Sequence, residues 1–233
     1  MIIDLNCDLG EGCPLDGKLM PLITSANVAC GGHAGDLATS LKTLQLARLH
    51  GVQVGAHPGY LDRDSFGRQE QVLSERRIYL ECQAQITALA ELALIADVSL
   101  CYLKPHGALY NQACRDETYA RPVVQVAEEH GLAVMGLPGS RLAKVAEGRC
   151  PFIPEGFADR RYLPDGSLVP RSSSEAFVKT PDEAILQAKS LVQDRGVRTL
   201  CVHGDNSQAL AFLTSLREAF LRDGWTIQPF ALP

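Results

Sequence analysis

The chain has no block of Lys or Arg, no C-x-x-C pair, no low-complexity stretch, and no apolar run approaching the roughly 20 residues that span a bilayer. Each absence removes a class of function. The formal net charge of −5 comes from interspersed acids and bases, so nothing is arranged to follow a phosphate backbone, and nucleic acid is not expected as a partner. Acids, prolines and histidines interrupt the hydrophobic runs, which argues against a membrane span. The opening MIIDLNCDLGEG meets Asp4 and Asp8 at once, where a secretory leader would carry a basic start and a longer apolar core. It reads as the first strand of a cytoplasmic protein. Eight cysteines are scattered through strand-like and helical stretches, a distribution expected of reduced, mostly buried thiols. Cys7, Cys30, Cys101 and Cys201 fall beside polar motifs, so a nucleophilic thiol is weighed at each against the commoner role of core filler.

What is present is a chain of 233 residues with an average apolar fraction, enough to bury a substantial core as one domain over residues 1–233. Short apolar runs alternate with longer amphipathic stretches, the rhythm of repeated βα units around a parallel sheet. Strands are expected at 2–7, 26–30, 52–56, 100–104, 133–137, 152–154, 200–202 and 226–230. Helices are expected over 36–50, stopped by Gly51, and from Ser74 to about Ala96. Thr180-Pro181-Asp182-Glu183 supplies an N-cap, a proline at the first helical position and a capping-box acid. A last long helix opens at Asn206 or Ser207 and ends near Asp223-Gly224. The count predicts an α/β fold, a distorted (β/α) barrel with seven or eight parallel strands, with an open doubly wound sheet as the alternative. Residues 157–171, with a turn at Asp165-Gly166, read as an inserted hairpin that could serve as a lid or a partner surface.

Either architecture gathers chemistry at the strand C-termini, and four of the six histidines fall there: His33, His57, His106 and His203 each follow an apolar run. One such histidine would ordinarily be structural, but four at successive strand ends converge. His50 and His130 precede helix-ending glycines and fit cations at helix C-termini, outside the site. In the first strand Asp4, Asn6 and Asp8 alternate with apolar residues and share one face. A polar face would be costly in an apolar core and is expected to line a ligand-bearing barrel interior. Lys104, just before Pro105 and His106, could polarise a carbonyl or phosphoryl oxygen, its alternative being an exposed cation. Past another strand, Glu155, Asp159, Arg160 and Arg161 offer carboxylate catalysis and anion binding, or a solvated loop salt bridge.

Six motifs, DLNCDLGEG (4–12), SANVACGGHAGD (25–36), GAHPGYLDRDSFGR (55–68), KPHGALYN (104–111), EGFADRRY (155–162) and VHGDN (202–206), resemble the LamB/YcsF family of lactam-utilisation proteins nearly end to end and in the family's order. Members of that family are identified with the A subunit of bacterial 5-oxoprolinase. The resemblance implies ATP-dependent opening of 5-oxo-L-proline to L-glutamate, performed with separate B and C subunits, and a distorted barrel related to glycoside hydrolase and carbohydrate deacetylase barrels. It places Asp8, His33, His57, His106 and His203 on motif positions expected to line the site. Gly32 departs from the pattern where the family commonly has an aromatic, as do Leu37 and Leu61 where prolines are common.

A γ-lactam is a resonance-stabilised amide, so its opening needs carbonyl activation and an attacking water. Asp8, His57, Lys104 and His106 are the expected catalytic set, with Asp8 or a nearby histidine as general base and Lys104 and His106 stabilising negative charge. Asn6, His33, Glu155, Asp159, Arg160, His203 and Asp205 are the expected substrate-binding set. ATP is the expected cofactor, yet G-x-x-x-x-G-K-[ST] is missing, so the nucleotide would bind an unusual site or a partner subunit. Two rivals stand beside this reading. One is a metal-dependent amide or N-acetyl hydrolase using Asp and His ligands, with no ligand set fixed by spacing. The other is a non-catalytic lactam-binding subunit. Self-association into a homo-oligomer is compatible with all three.

Overall fold

A computed structural model describes residues 1–206 and 208–230. Its strands are β1 (Ile2–Leu9), β2 (Ser25–Ala29), β3 (Gln53–His57), β4 (Leu100–Leu103), β5 (Ala133–Gly136), β6 (Phe152–Phe157), β7 (Thr199–Cys201) and β8 (Thr226–Ile227). The helices are α1 (Asp16–Leu19), α2 (Leu37–His50), α3 (Glu75–Ala96), α4 (Gly107–Arg115), α5 (Glu117–Glu129), α6 (Arg141–Ala146), α7 (Pro181–Arg195) and α8 (Ala209–Arg222). Strands β1 to β7 pair in order, all parallel, and β1 pairs with both β7 and β2, which closes a ring of seven. β8 lies outside the ring, pairing Thr226 with Ile2 and Ile227 with Ile3 at the start of β1. The ambiguity between seven and eight strands therefore resolves as a seven-stranded closed barrel with one short added strand, and the open doubly wound sheet is excluded.

Local chemistry sets the element ends. Asp36 and Ser74 cap α2 and α3 by accepting the N–H groups of Thr39 and Arg77, and Gly51 takes the left-handed conformation that stops α2. Thr180 caps α7 with Pro181 at its first position, as expected, but the Glu183 carboxylate reaches back to the N–H of Lys179 rather than that of the cap residue. At the start of α8 the Asn206 side chain accepts from Gln208 N at 2.9 Å, while Ser207 lies outside the described residues. The gap between β4 and β5 holds two helices, α4 and α5, with Asp116 capping the second.

α3 is the one helix among the described residues long and apolar enough, by length and composition, to cross a membrane. This corrects the expectation that no stretch reaches that length. Its Ala, Leu and Ile content has a packing use: Ile78, Cys82, Ile86, Leu89, Ala93 and Ala96 form a buried stripe at helical spacing.

The alternation in β1 works as its sequence implies. Ile3, Leu5, Cys7 and Leu9 face outward into the helix layer and are fully buried there, whereas Asp4, Asn6 and Asp8 point into the barrel. The lower interior is closed by an apolar plug of Tyr102, Ala133, Met135, Ile153 and Phe230. Tyr102 bridges plug and polar column, its hydroxyl donating to Asn27 Oδ1 at 2.7 Å. Gly55 on β3 makes room for that ring, since a Cβ there would lie 2.1 Å from Tyr102 Cε2. Gly55→Ala should therefore lower stability by about 1–3 kcal/mol in denaturant unfolding through overpacking alone; an unchanged midpoint would contradict this account of the barrel's filling.

Candidate active site

The strand C-termini bring the expected residues to one end of the barrel. Asp8 is the next-to-last residue of β1 and His57 the last of β3, His33 follows β2, Lys104 and His106 follow β4, and His203 follows β7. His50 and His130 sit at the ends of α2 and α5, away from this cluster.

Lys104 stands at the centre, with 2% of its side chain exposed. Its ammonium lies 3.0 Å from Asp8 Oδ1 and 2.7 Å from Glu155 Oε1, with Asn6 Oδ1 at 3.3 Å and Cys201 Sγ at 3.2 Å. Burial opposes the charge on this lysine, but Asp8 foremost outweighs it and holds its pKa well above the ordinary value. Burial would likewise raise the Asp8 carboxyl, yet Lys104 and then His57 hold it well below the usual carboxylate range. Below this pair, Asn27 Nδ2 donates to both Asn6 Oδ1 and Asp8 Oδ1 at 2.7 Å, and Asn6 Nδ2 donates to Thr199 Oγ1 at 2.7 Å. Asp4, at the base of the column, accepts from Thr24, Ser25 and Thr199, and burial pushes its carboxyl up to about 6.

Beside Asp8 three histidines meet over Glu11. His33 and His106 stack in parallel with ring centroids 3.6 Å apart, and His57 meets His106 edge-on. Glu11 Oε1 is 3.1 Å from His33 Nε2, 3.4 Å from His106 Nδ1 and 4.0 Å from His57 Nε2. Burial pushes the His33 imidazole down to about 2 and raises the Glu11 carboxyl well above its ordinary value. These four residues are one group that could hold a metal ion; Asp8, Cys201 and His203 are another. Phe66, in the left-handed region at φ 56°, turns its carbonyl to His106 Nε2 at 2.9 Å. Gly67 follows with positive φ where a Cβ would meet His33 Cβ at 2.7 Å. The departure at Gly32 has a local cause, since Gln85 from α3 fills the space beside it and clamps Gly59 through its backbone N–H and carbonyl.

A cavity of about 850 Å³ opens above this floor, lined among others by Asp8, His57, Lys104, His106, Arg160 and His203. Its far wall is the segment from Leu163 to Ser172, the expected insertion, held by antiparallel bridges Arg160–Phe177 and Tyr162–Leu168. Arg160 pins this wall by donating to Val169 O at 2.6 Å and Ala176 O at 3.3 Å. Asp159 is fully buried behind His203, taking the His203 backbone N–H at 3.1 Å and facing its Nδ1 at 3.0 Å. Burial would raise the Asp159 carboxyl, but His203 outweighs it and lowers it.

Several expected roles change with this geometry. Asn6, Glu155 and Asp159, placed in the substrate-binding set, are fully buried and absent from the cavity wall; they hold Lys104 and His203 instead. Asp205 lies to the side, paired with Arg68 and 3.9 Å from Arg171. Lys104 has its ammonium enclosed by protein partners, and both ring nitrogens of His106 face protein atoms, so neither presents a free N–H to an oxyanion. The thiols of Cys7 and Cys201 are held protonated by burial, which raises both well above the ordinary value, and burial pushes Cys30 up to about 12. Those three are poor nucleophiles. Glu11 is the residue that inspection of the strand ends missed. It stands in the loop after β1, inside the DLNCDLGEG motif, and its only signal was a third acid beyond Asp4 and Asp8.

The fold and site define a closed parallel β/α barrel with a buried acid, lysine and histidine centre at its C-terminal mouth. The LamB/YcsF family model matches residues 3–232, and the chain belongs to that family. A relative from Neisseria meningitidis serogroup C (strain 053442), named as the A subunit of 5-oxoprolinase, is 41% identical over 95% of this chain and 97% of its own length. The lactam utilization protein of Thermus thermophilus superposes with a TM-score of 0.90 at 35% identity, covering 99% of this chain and all of the other. At the level of fold alone, the catalytic domain of a peptidoglycan N-acetylglucosamine deacetylase from Eubacterium rectale aligns with a TM-score of 0.57 at 11% identity, over 99% of this chain and 88% of that domain.

The buried charges make a stability prediction. Lys104→Met should cost about 3–5 kcal/mol, because it strands the carboxylates of Asp8 and Glu155 without a cation. Adding Glu155→Gln in that background should recover part of the loss, read as a coupling in a double-mutant cycle by denaturant unfolding. Strict additivity would contradict the central role given to the ammonium.

Proposed function

We propose that this chain opens the lactam of 5-oxo-L-proline to give L-glutamate, coupled to ATP hydrolysis, as the A subunit of a 5-oxoprolinase with separate B and C subunits. The reading is carried by one conjunction: whole-length similarity to a relative named as the A subunit of 5-oxoprolinase, and a cavity floored by ionised and imidazole groups suited to amide hydrolysis.

His203 is the proton-transfer group of this proposal. The Asp159 carboxylate can only accept at Nδ1, so that nitrogen carries the proton and Nε2 is left for water or the departing amine. Asp8 is held ionised, with Oδ1 on Lys104 and Oδ2 3.4 Å from His57 Nε2, and it orients water at the cavity floor. Lys104 acts through its field and as a positioning residue for Asp8. Arg68 and Arg171 line the wall and offer cationic forks to a carboxylate or phosphoryl group, and the N-terminal end of α4 adds the positive pole of its helix dipole.

In the overall reaction, phosphoryl transfer from ATP to the amide oxygen releases ADP and converts that oxygen into a good leaving group. Water adds to the ring carbon with loss of a proton to His203. The C–N bond then breaks and the nitrogen takes up a proton, which leaves an acyl phosphate, and a second water hydrolyses this to the carboxylate and free phosphate. In this reading the phosphoryl-transfer step falls to the B and C subunits, which is consistent with the missing phosphate-cradling glycine motif, and this chain receives the activated lactam.

The test is glutamate and phosphate release by the chain alone and reconstituted with B and C subunits, with and without ATP. Only the complete system with ATP should turn over 5-oxoproline. Asp8→Asn and His203→Gln should each lower turnover by at least about 100-fold while leaving KM within a few-fold. Near-normal turnover in either folded variant, or ATP-independent turnover by the chain alone, would refute the assignment.

A further inference from the structure

We infer that Glu11, His33, His57 and His106 form a binding site for one divalent first-row transition ion of the zinc type. The inference stands on the geometry of this cluster and does not depend on 5-oxoproline being the substrate.

Proton positions are the first observation. His57 Nδ1 lies 2.8 Å from the Lys104 carbonyl and His106 Nε2 lies 2.9 Å from the Phe66 carbonyl. A carbonyl oxygen can only accept, so each of these nitrogens carries its ring's proton. The remaining nitrogens, His57 Nε2 and His106 Nδ1, therefore both present lone pairs, and they face each other at 2.9 Å. Two lone pairs at that distance repel unless something electropositive sits with them. A proton on His57 Nε2 would serve His106 Nδ1 and Asp8 Oδ2 but would leave the contacts of Glu11 with His33 and His106 unanswered.

The second observation is that the convergence goes beyond a pair. Glu11 Oε1 and His33 Nε2 join the two imidazoles, with one donor atom from each residue lying within 4.8 Å of all the others. The carboxylate oxygen approaches all three rings, at 3.1, 3.4 and 4.0 Å. Metal–nitrogen bonds of about 2.0–2.1 Å place two nitrogens about 2.9 Å apart at a right angle and about 3.3–3.4 Å apart at the tetrahedral angle, so the 2.9 Å between His57 and His106 suits a six-coordinate ion directly and tetrahedral zinc after widening by a few tenths of an ångström. A cation set among these atoms would be reached by Glu11, His57 and His106, and His33, stacked parallel on His106, would turn its ring to bring Nε2 onto it.

The supporting bonds are those of metal-bound histidines. A ligating imidazole characteristically donates its other N–H to a carbonyl or carboxylate, which fixes the tautomer and aims the lone pair. His57 and His106 both do this to backbone carbonyls, and the Phe66 carbonyl is presented by a residue held at positive φ. Among the described residues His33 Nδ1 has no hydrogen-bond partner, so its tautomer is free to follow whatever Nε2 meets. Three imidazoles and one carboxylate suit zinc, cobalt, nickel or iron(II), whereas magnesium and calcium prefer all-oxygen shells.

The experiment loads chelator-stripped full-length chain with Zn²⁺ or Co²⁺ and measures metal content after desalting, affinity by calorimetry, and the shift in Tm. About one ion per chain is expected, with a raised Tm and visible cobalt bands indicating nitrogen and oxygen ligands. His57→Ala and Glu11→Gln should each weaken binding by about 100-fold or more, while His50→Ala at the end of α2 should leave it unchanged. Should the ligand variants fail to fold, imidazole ¹⁵N spectra of the wild-type chain decide: Zn²⁺ should move the resonances of His33, His57 and His106 and leave those of His50 and His130 in place. Absence of stoichiometric binding, binding indifferent to both ligand variants, or a shared His57–His106 proton that persists with metal in excess would overturn the inference.

Discussion

An ammonium group enclosed in a barrel interior is stable only if negative charge encloses it in turn, and Lys104 meets that condition through Asp8 on one side and Glu155 on the other. The rest of the site follows from this arrangement. Asp8 stays ionised in a buried setting because the lysine is there, and Asn27 and Asn6 fill the remaining acceptor positions from below. The residues that hold Lys104 come from β1, β6 and β7, on one side of the seven-stranded ring, while Lys104 itself follows β4 across from them. The ion cluster thus ties opposite walls of the barrel at the level where the active site opens. Removing one member leaves the others as uncompensated buried charges, so the cluster constrains both stability and chemistry.

The barrel divides along its axis. Its lower third is an ordinary packed core around Tyr102, Met135 and Phe230, and its upper part is a column of polar groups that satisfy one another before any ligand arrives. Tyr102 belongs to both, its ring in the plug and its hydroxyl on Asn27. Among the described residues, the buried side-chain atoms without a hydrogen-bond partner include His33 Nδ1 in the histidine cluster and the Tyr110 hydroxyl at the cavity, together with Asp16 Oδ1 and the Glu155 oxygens, which meet Lys104 as an ion pair. This division explains how a fold shared with sequence-distant proteins can host different reactions, since the chemistry depends on residues at and just beyond the strand ends and on the insertion that walls the cavity.

Much of this was legible in the sequence, for identifiable reasons. The alternation of Asp4, Asn6 and Asp8 with Ile3, Leu5 and Cys7 has one physical solution in a barrel strand, and the four strand-end histidines could only converge if the strands were parallel. The barrel was expected from the count of βα units and the family resemblance, but the number of strands that close it was not legible, because β8 resembles a barrel strand in composition while lying outside the ring. Nor could the sequence say which polar residues are committed to each other. Asp159 beside Arg160 suggested a loop salt bridge, yet it serves His203, 44 residues away, while Arg160 pins the insertion. Glu11 lay in a loop with no periodicity, and only the folded chain sets it against three imidazoles drawn from three other segments.

The account depends most on the charge of Lys104, and that charge can be observed directly. Selective ¹⁵Nζ and ¹³Cε labelling of lysine, assigned with a Lys104 substitution and titrated by NMR, reports its protonation state without reference to activity or partners. The structure predicts an ammonium that persists above the ordinary lysine pKa of 10.5, held by Asp8 and Glu155 against the effect of burial. A Lys104 that loses its proton near neutral pH would contradict the account, because Asp8 would then lose the cation that keeps it ionised.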